Sequence, residues 1–431
     1  MSGTLTNNGT IVGGFGVTTG GGGAPGVRQT GGTLNNHGSI TGGSAMNASS
    51  TGSPGVVLIA GSLNNFDNII GGTAEAGGPG AAGVSEYDAT FTNTGTISGG
   101  GGGSRGGSGS PGGSGVELRD GMLSNNGDIV GGVGSNTTGG AGGTGVDVTG
   151  GSLTETGSIS GGAGGTGNTI GGHGGTGVAL DGGTLTTSGT IAGGSGGSGA
   201  STGAPGVAVV FGSVASTLIV DRGAVFSGKV VADAAVHDVL ELSGTQSGGT
   251  AITLGTQFTN FSTLEFASDA SGTVDATKGA LSVAGHALTI DGFALGDTLD
   301  ITNLTAKGTT QNFNSTTDVL TLTHVTTVIN LDFDSGVSGD HFVLSANGTG
   351  TDLTLASGAD ATLAAATRDL TNFVSSDLGL LANRFLLGAN AAEYTPTLTA
   401  AVMQEPVGFA LAAQAGIHGL AHTTSGCAGM Q

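Results

Sequence analysis

The sequence predicts an all-β fold: a right-handed parallel β-helix, or β-solenoid, with rungs of about 30 residues and glycine-rich loops leaving on one side. Three observations predict it. A short phrase recurs seven times. Its internal spacing is constant, and all length variation falls in one arm. Its apolar residues are mostly Val, Leu and Ile set among Ser and Thr, the composition of strands. Each phrase opens on Leu5, Leu34, Leu63, Phe91, Leu123, Leu153 or Leu185. Six residues on stands Ile11, Ile40, Ile69, Ile97, Ile129, Ile159 or Ile191, followed by a Gly-Gly pair. A third anchor, Val27, Val56, Val84, Val116, Val146 or Val178, lies seven residues before the next opening residue. By the same spacing Val207 is read as the anchor before Val214 in an eighth rung. A stacked repeat behaves in this way: the part that packs on its neighbours holds its length, and the solvent-facing arm varies.

The runs around the valines, such as Val56-Val57-Leu58 and Val146-Asp147-Val148, alternate with the period of a strand. With 94 glycines the chain is a poor helix former, and no window carries helical spacing. Three short strands per turn then stack in register, about 4.8 Å per rung. The expected rung core comprises Leu34, Ile40, Val56, Leu63, Ile69, Val84, Leu123, Ile129, Val146, Leu153, Ile159 and Val178. Two residues after the opening Leu comes Asn7, Asn36, Asn65, Asn93 or Asn125, usually followed two residues on by Gly. Stacked asparagines at a corner can bond from rung to rung as a ladder. Glu155 and Thr187 hold the next two such positions, so the ladder is expected to end near the fifth rung.

The arms, for example 101–115 and 161–177, read locally as flexible glycine linkers. The alternative is that seven arms leaving one flank pack as parallel extended strands of the polyproline II type. Residues 1–213 form the regular repeats. Residues 214–357 have less glycine and longer apolar runs, and read as wider coils closing in a cap. Residues 358–431 read as a tail with short helices at 359–366 and 378–387, loosely packed or partly disordered.

The repeat Leu-x-Asn-x-Gly-x-Ile-x-Gly-Gly, with the later stretch through Val225-Phe226-Ser227-Gly228 and Phe258 to Phe266, resembles bacterial surface β-helix proteins. These are the autotransporter passenger domains and filamentous-haemagglutinin-like adhesins. The resemblance covers about 1–357 and implies a secreted, outer-membrane-associated rod that mediates adhesion or aggregation. Two features depart from it: the start carries no signal-peptide pattern, and the end lacks the alternating strands of a translocating barrel. The segment from Asp291 to Asp300 is similar to the ends of acidic proteins exported by a type I route.

Little else in the sequence points to chemistry. A formal charge of −21 with nine Lys and Arg excludes nucleic acid as a natural partner. No run is long and apolar enough for a transmembrane helix. One cysteine, Cys427, allows no disulfide framework within the chain. Gly142 to Val148 matches a calcium nonapeptide, but its equivalents lie about 30 residues apart instead of nine. Asp291, Asp297 and Asp300, and the pair His418 and His422, are weak metal candidates. No catalytic residue, cofactor or metal site is expected. The leading expectation is a non-enzymatic extracellular adhesin or passenger module, whose partners are a second copy or a surface glycan or protein. The alternatives are a self-assembling filament or surface-layer subunit and, less favoured, a polysaccharide-degrading β-helix enzyme.

Overall fold

The computed structural model describes residues 3–357, apart from 17–21, 47–49, 76, 105–108, 245–250, 284, 335–336, 338–340 and 349, together with the backbone of Leu398–Gln404 and Phe409–Ala415. The chain divides into two units, 1–358 and 359–431. In the second unit the two described strands pair antiparallel. The short helices expected at 359–366 and 378–387 lie outside the described residues.

The first unit is a β-solenoid of about 10 turns. Each regular turn contributes one strand to each of three sheets. Val27–Thr30, Val56–Ile59, Val84–Tyr87, Val116–Arg119, Val146–Thr149 and Val178–Asp181 stack as a valine face. Thr4–Asn7, Thr33–Asn36, Ser62–Asn65, Thr90–Asn93, Met122–Asn125, Ser152–Glu155 and Gly183–Thr187 form a leucine face. Thr10–Val12, Ser39–Thr41, Asn68–Ile70, Thr96–Ser98, Asp128–Val130, Ser158–Ser160 and Thr190–Ala192 form an isoleucine face. Pairing is parallel and in register: Leu34 lies on Leu63, Ile40 on Ile69, Val56 on Val84. Alternate residues point inward, so each rung buries a handful of apolar side chains, each stabilising by about 1.5–3 kcal/mol. At the valine–leucine corner the chain reverses within two residues, and Gly31 and Gly32 take φ of 84° and 80°, which a side chain would resist.

The described residues of the glycine arms are ordered, and they form the second half of the rungs. Each arm runs out after the Ile strand and returns before the next Val strand, and its hydrogen bonds repeat every three residues. Going out, Gly131 and Gly134 donate to Ser160 and Ala163 of the next turn, while Gly132 and Ser135 donate to Gly113 and Ser110 of the preceding return. Coming back, Gly142 and Gly145 donate to His173 and Thr176, while Gly140 and Gly143 donate to Ser135 and Gly132 of the same arm. The N–H of the third residue of each triplet donates no bond in this pattern, while its carbonyl accepts from the turn before: Val133 from Gly102 and Ala141 from Gly112. A three-residue period with neighbours on several sides belongs to extended strands of polyproline II geometry packed as a bundle. One line of bonds at 2.7–3.0 Å crosses all seven arms, from Gly206 through Gly194, Gly175, Gly162, Gly143, Gly132, Gly113 and Gly100 down to Gly14. The glycines here serve close approach: a Cβ on Gly132 would fall on the Gly100 carbonyl, and one on Gly143 on the Gly113 carbonyl. The packed-arm alternative therefore describes this region, and the flexible-linker reading does not.

Two expectations fail beyond the seventh phrase. Val207 is not the eighth anchor. Its carbonyl accepts from Gly177, which makes it the last outward residue of the arm, and the strand begins two residues later as Val209–Phe211. Val209 pairs with Val178, Leu218 with Leu185, and Val214 is left 54% exposed. The later coils are also not wider. Without arms the turn from Leu218 to Leu240 takes 22 residues, against 29 from Leu34 to Leu63. The isoleucine sheet stops at Val225–Ser227, while the other two continue across position 213. Parallel stacking then gives way to antiparallel strands: Thr310–Asn314, Val319–His324 and Thr327–Phe333 extend the leucine sheet, and Gly350–Ala356 and His341–Asn347 the valine sheet.

Candidate interaction surfaces

All twelve residues expected in the rung core are buried and belong to one continuous core. The five corner asparagines meet. Asn7 Nδ2 donates to Asn36 Oδ1 at 2.8 Å, Asn36 to Asn65 at 2.8 Å, Asn65 to Asn93 at 2.7 Å and Asn93 to Asn125 at 2.7 Å. The asparagines end on the fifth rung, but the chain of bonds does not: Asn125 Nδ2 donates to Glu155 Oε2 at 2.6 Å. A carboxyl oxygen accepts as an amide oxygen does. Glu155 has no amide donor to pass on, and Thr187 accepts instead from the Gly189 N–H. The ladder is thus one rung longer than expected.

Glu155 is fully buried, and burial pushes its carboxyl up to about 8 against the opposing pull of the Asn125 bond. Oε1 has no partner. Glu86 is a second buried acid, although the acids of the repeats read from the sequence as facing outward. It occupies the inward position held by Leu58 on one side and Leu118 on the other. Its oxygens accept from the backbone N–H groups of Ala89 and Arg119 at the corner. Burial still raises it to about 7, with Asp88 and Asp120 adding to the rise. The signal was present: in Val84-Ser85-Glu86 the strand alternation puts a glutamate on the inward phase.

Outward residues divide sharply by face. On the valine face of turns two to seven, Arg28, Glu117, Arg119, Asp147 and Asp181 point out. Glu117 stacks beside Asp147, whose carboxyl is raised by burial and then by that neighbour. The leucine face of the seven regular rungs carries two outward ranks. One is Thr4, Thr33, Ser62, Thr90, Met122, Ser152 and Thr184; the other is Thr6, Asn35, Asn64, Thr92, Ser124, Thr154 and Thr186. None is charged, and all but Met122 bear a hydroxyl or amide. One neighbouring pair in each rank is bonded, Ser62 to Thr33 at 3.0 Å and Asn64 to Asn35 at 2.8 Å.

In the later coils charge returns to both faces. Glu241, Glu265 and Asp291 stack on the leucine sheet, and Asp275, Asp300 and Asp352 on the valine sheet. Burial and then Glu265 raise the carboxyl of Glu241; burial and then Asp352 and Asp275 raise that of Asp300. Asp291 and Asp300 therefore lie on different sheets, and Asp297 is buried in a turn, accepting from the Ala294 N–H. Among the described residues no three His, Cys, Asp or Glu side chains converge as a metal site. His418 and His422 lie outside the described residues. In the nonapeptide match, Gly142 and Gly143 belong to the arm bundle and Asp147 to the valine face.

No protein-family model, curated protein or solved structure matches the chain. Among the described residues no helix is long and apolar enough to cross a membrane.

Proposed function

We propose that this chain is a non-enzymatic extracellular display scaffold: a β-solenoid adhesin or passenger module presented at the outer membrane of a bacterial cell. One observation carries the reading. The inward set repeats while the outward set at the same address changes. At the first position of the valine strands every turn has a buried Val, and the next residue is in order Arg28, Val57, Ser85, Glu117, Asp147 and Ala179. A scaffold with a constant core and a varied surface offers many weak contacts along one axis, and multivalent binding gains avidity without a deep pocket. The near absence of cysteine and the acidic charge agree with an exported chain.

The experiment is display of the chain on a non-adherent bacterium through a heterologous surface anchor. Adherence to immobilised glycans, matrix proteins or sibling cells well above that of the empty strain is the expected outcome. Adherence equal to the empty strain on every surface would contradict the reading.

A further inference from the structure

The leucine face of the regular rungs has no role in that reading, and its chemistry is unusual for a chain of net charge −21. Its fourteen outward positions hold no charge, and thirteen carry a hydroxyl or amide. In-register parallel pairing sets neighbours in a rank about 4.8 Å apart and the two ranks roughly 6.6 Å apart. From the second rung on the array is backed by a fully buried core, and it is held laterally by side-chain bonds such as Asn64 to Asn35. Eight of the fourteen are Thr, whose χ1 is restricted by branching and which presents a methyl beside its hydroxyl.

We propose that this face is an ice-binding surface. A crystal of water is uncharged and periodic, and so is this face, which repeats in two directions. A charged side chain would keep its own hydration shell and disturb the lattice of the water it meets. A rigid array of hydroxyls and methyls can order water in place before contact, so little entropy is lost on binding. A soluble glycan fits less well: none of the fourteen outward residues is aromatic. Five charges of the same rungs, Arg28, Glu117, Arg119, Asp147 and Asp181, sit on the valine face, away from the face that meets the crystal. Met122, 58% exposed, interrupts one rank at the fifth rung.

The proposal goes beyond the adhesion reading and does not depend on it. The test is the gap between melting and freezing points, with crystal shape, of ice grown in solutions of the purified chain. Wild type is expected to open a gap and facet the crystal. Thr90→Tyr is expected to lower the gap by about half or more, Met122→Thr to raise it, and Thr149→Tyr on the valine face to leave it unchanged, all at unaltered melting temperature of the protein. Unshaped crystals with no gap would overturn the proposal. So would equal losses for Thr90→Tyr and Thr149→Tyr. Retention on insoluble cellulose without an effect on ice would assign the face to a polysaccharide instead.

Discussion

The regular rungs and the later coils solve one problem with different materials. In the rungs the core is thin and, Phe91 apart, aliphatic, and lateral order comes from hydrogen bonds: asparagine side chains at one corner and the glycine backbone on the flank. In the coils both disappear, and aromatic side chains take over. Phe266, Phe293, Phe333, Phe342 and Phe313 form a continuous chain of ring contacts with centroids 4.8–5.6 Å apart, and Phe211–Phe261 and Phe226–Phe258 add two edge-on pairs. Backbone hydrogen bonding tolerates no side chain at the approach points but is indifferent to what points outward. Aromatic packing is specific in shape and needs volume. The first region should therefore be brittle at its glycines and tolerant elsewhere, and the second the reverse.

The largest effect should come from Gly132→Val. Its side chain would overlap the Gly100 carbonyl, so a loss above about 4 kcal/mol or failure to fold is expected in denaturant unfolding. Phe333→Ala should cost about 3–5 kcal/mol by opening a cavity between the rings of Phe293 and Phe342, with exchange rising in the coils before the rungs.

Next in size is the pH response. The native carboxyls of Glu155 and Glu86 are raised to about 8 and about 7 from 4.5, so above 4.5 the unfolded chain gives up protons that the folded chain keeps. The stability they contribute is full in acid and falls by roughly 1.4 kcal/mol per pH unit per group until the native pKa is passed. Melting temperature should thus decline from pH 5 to pH 9, and Glu155→Gln should flatten the decline and exceed wild type at pH 9. A wild-type profile that is level or rises over this interval would refute the assignment. Asn93→Ala in mid-ladder should cost about 1–3 kcal/mol, since it removes two buried ladder bonds, one from Asn65 and one to Asn125. Ala163→Ser, at an outward arm position, should change stability by less than about 0.5 kcal/mol.

Much of the rung was legible because its packing is periodic. Leu34, Ile40 and Val56 recur at spacings that only stacking explains, and Asn36 recurs with them. The arms were harder, because a glycine run reads the same whether it is a linker or a close-packed strand; the distinction lies in contacts between arms, not within one. The useful trace was the Gly-Gly-x grouping in Gly161-Gly162-Ala163-Gly164-Gly165-Thr166, which matches a three-residue screw. Glu155 looked like a break in the ladder because residue type was weighed above hydrogen-bond role. Val207 misled because it keeps the spacing of an anchor while the arm runs on through it and the strand begins two residues later. The antiparallel closure of the later coils depends on long-range pairing, which local pattern does not encode.

The central claim is that the glycine arms are a hydrogen-bonded bundle, and residue-resolved amide exchange at neutral pH tests it most directly. Two slow amides and one fast one should alternate along the arms: Gly131 and Gly132 protected and Val133 free, then Gly134 and Ser135 protected again. Uniformly fast exchange across the arms, with protection confined to the Val, Leu and Ile strands, would contradict the account.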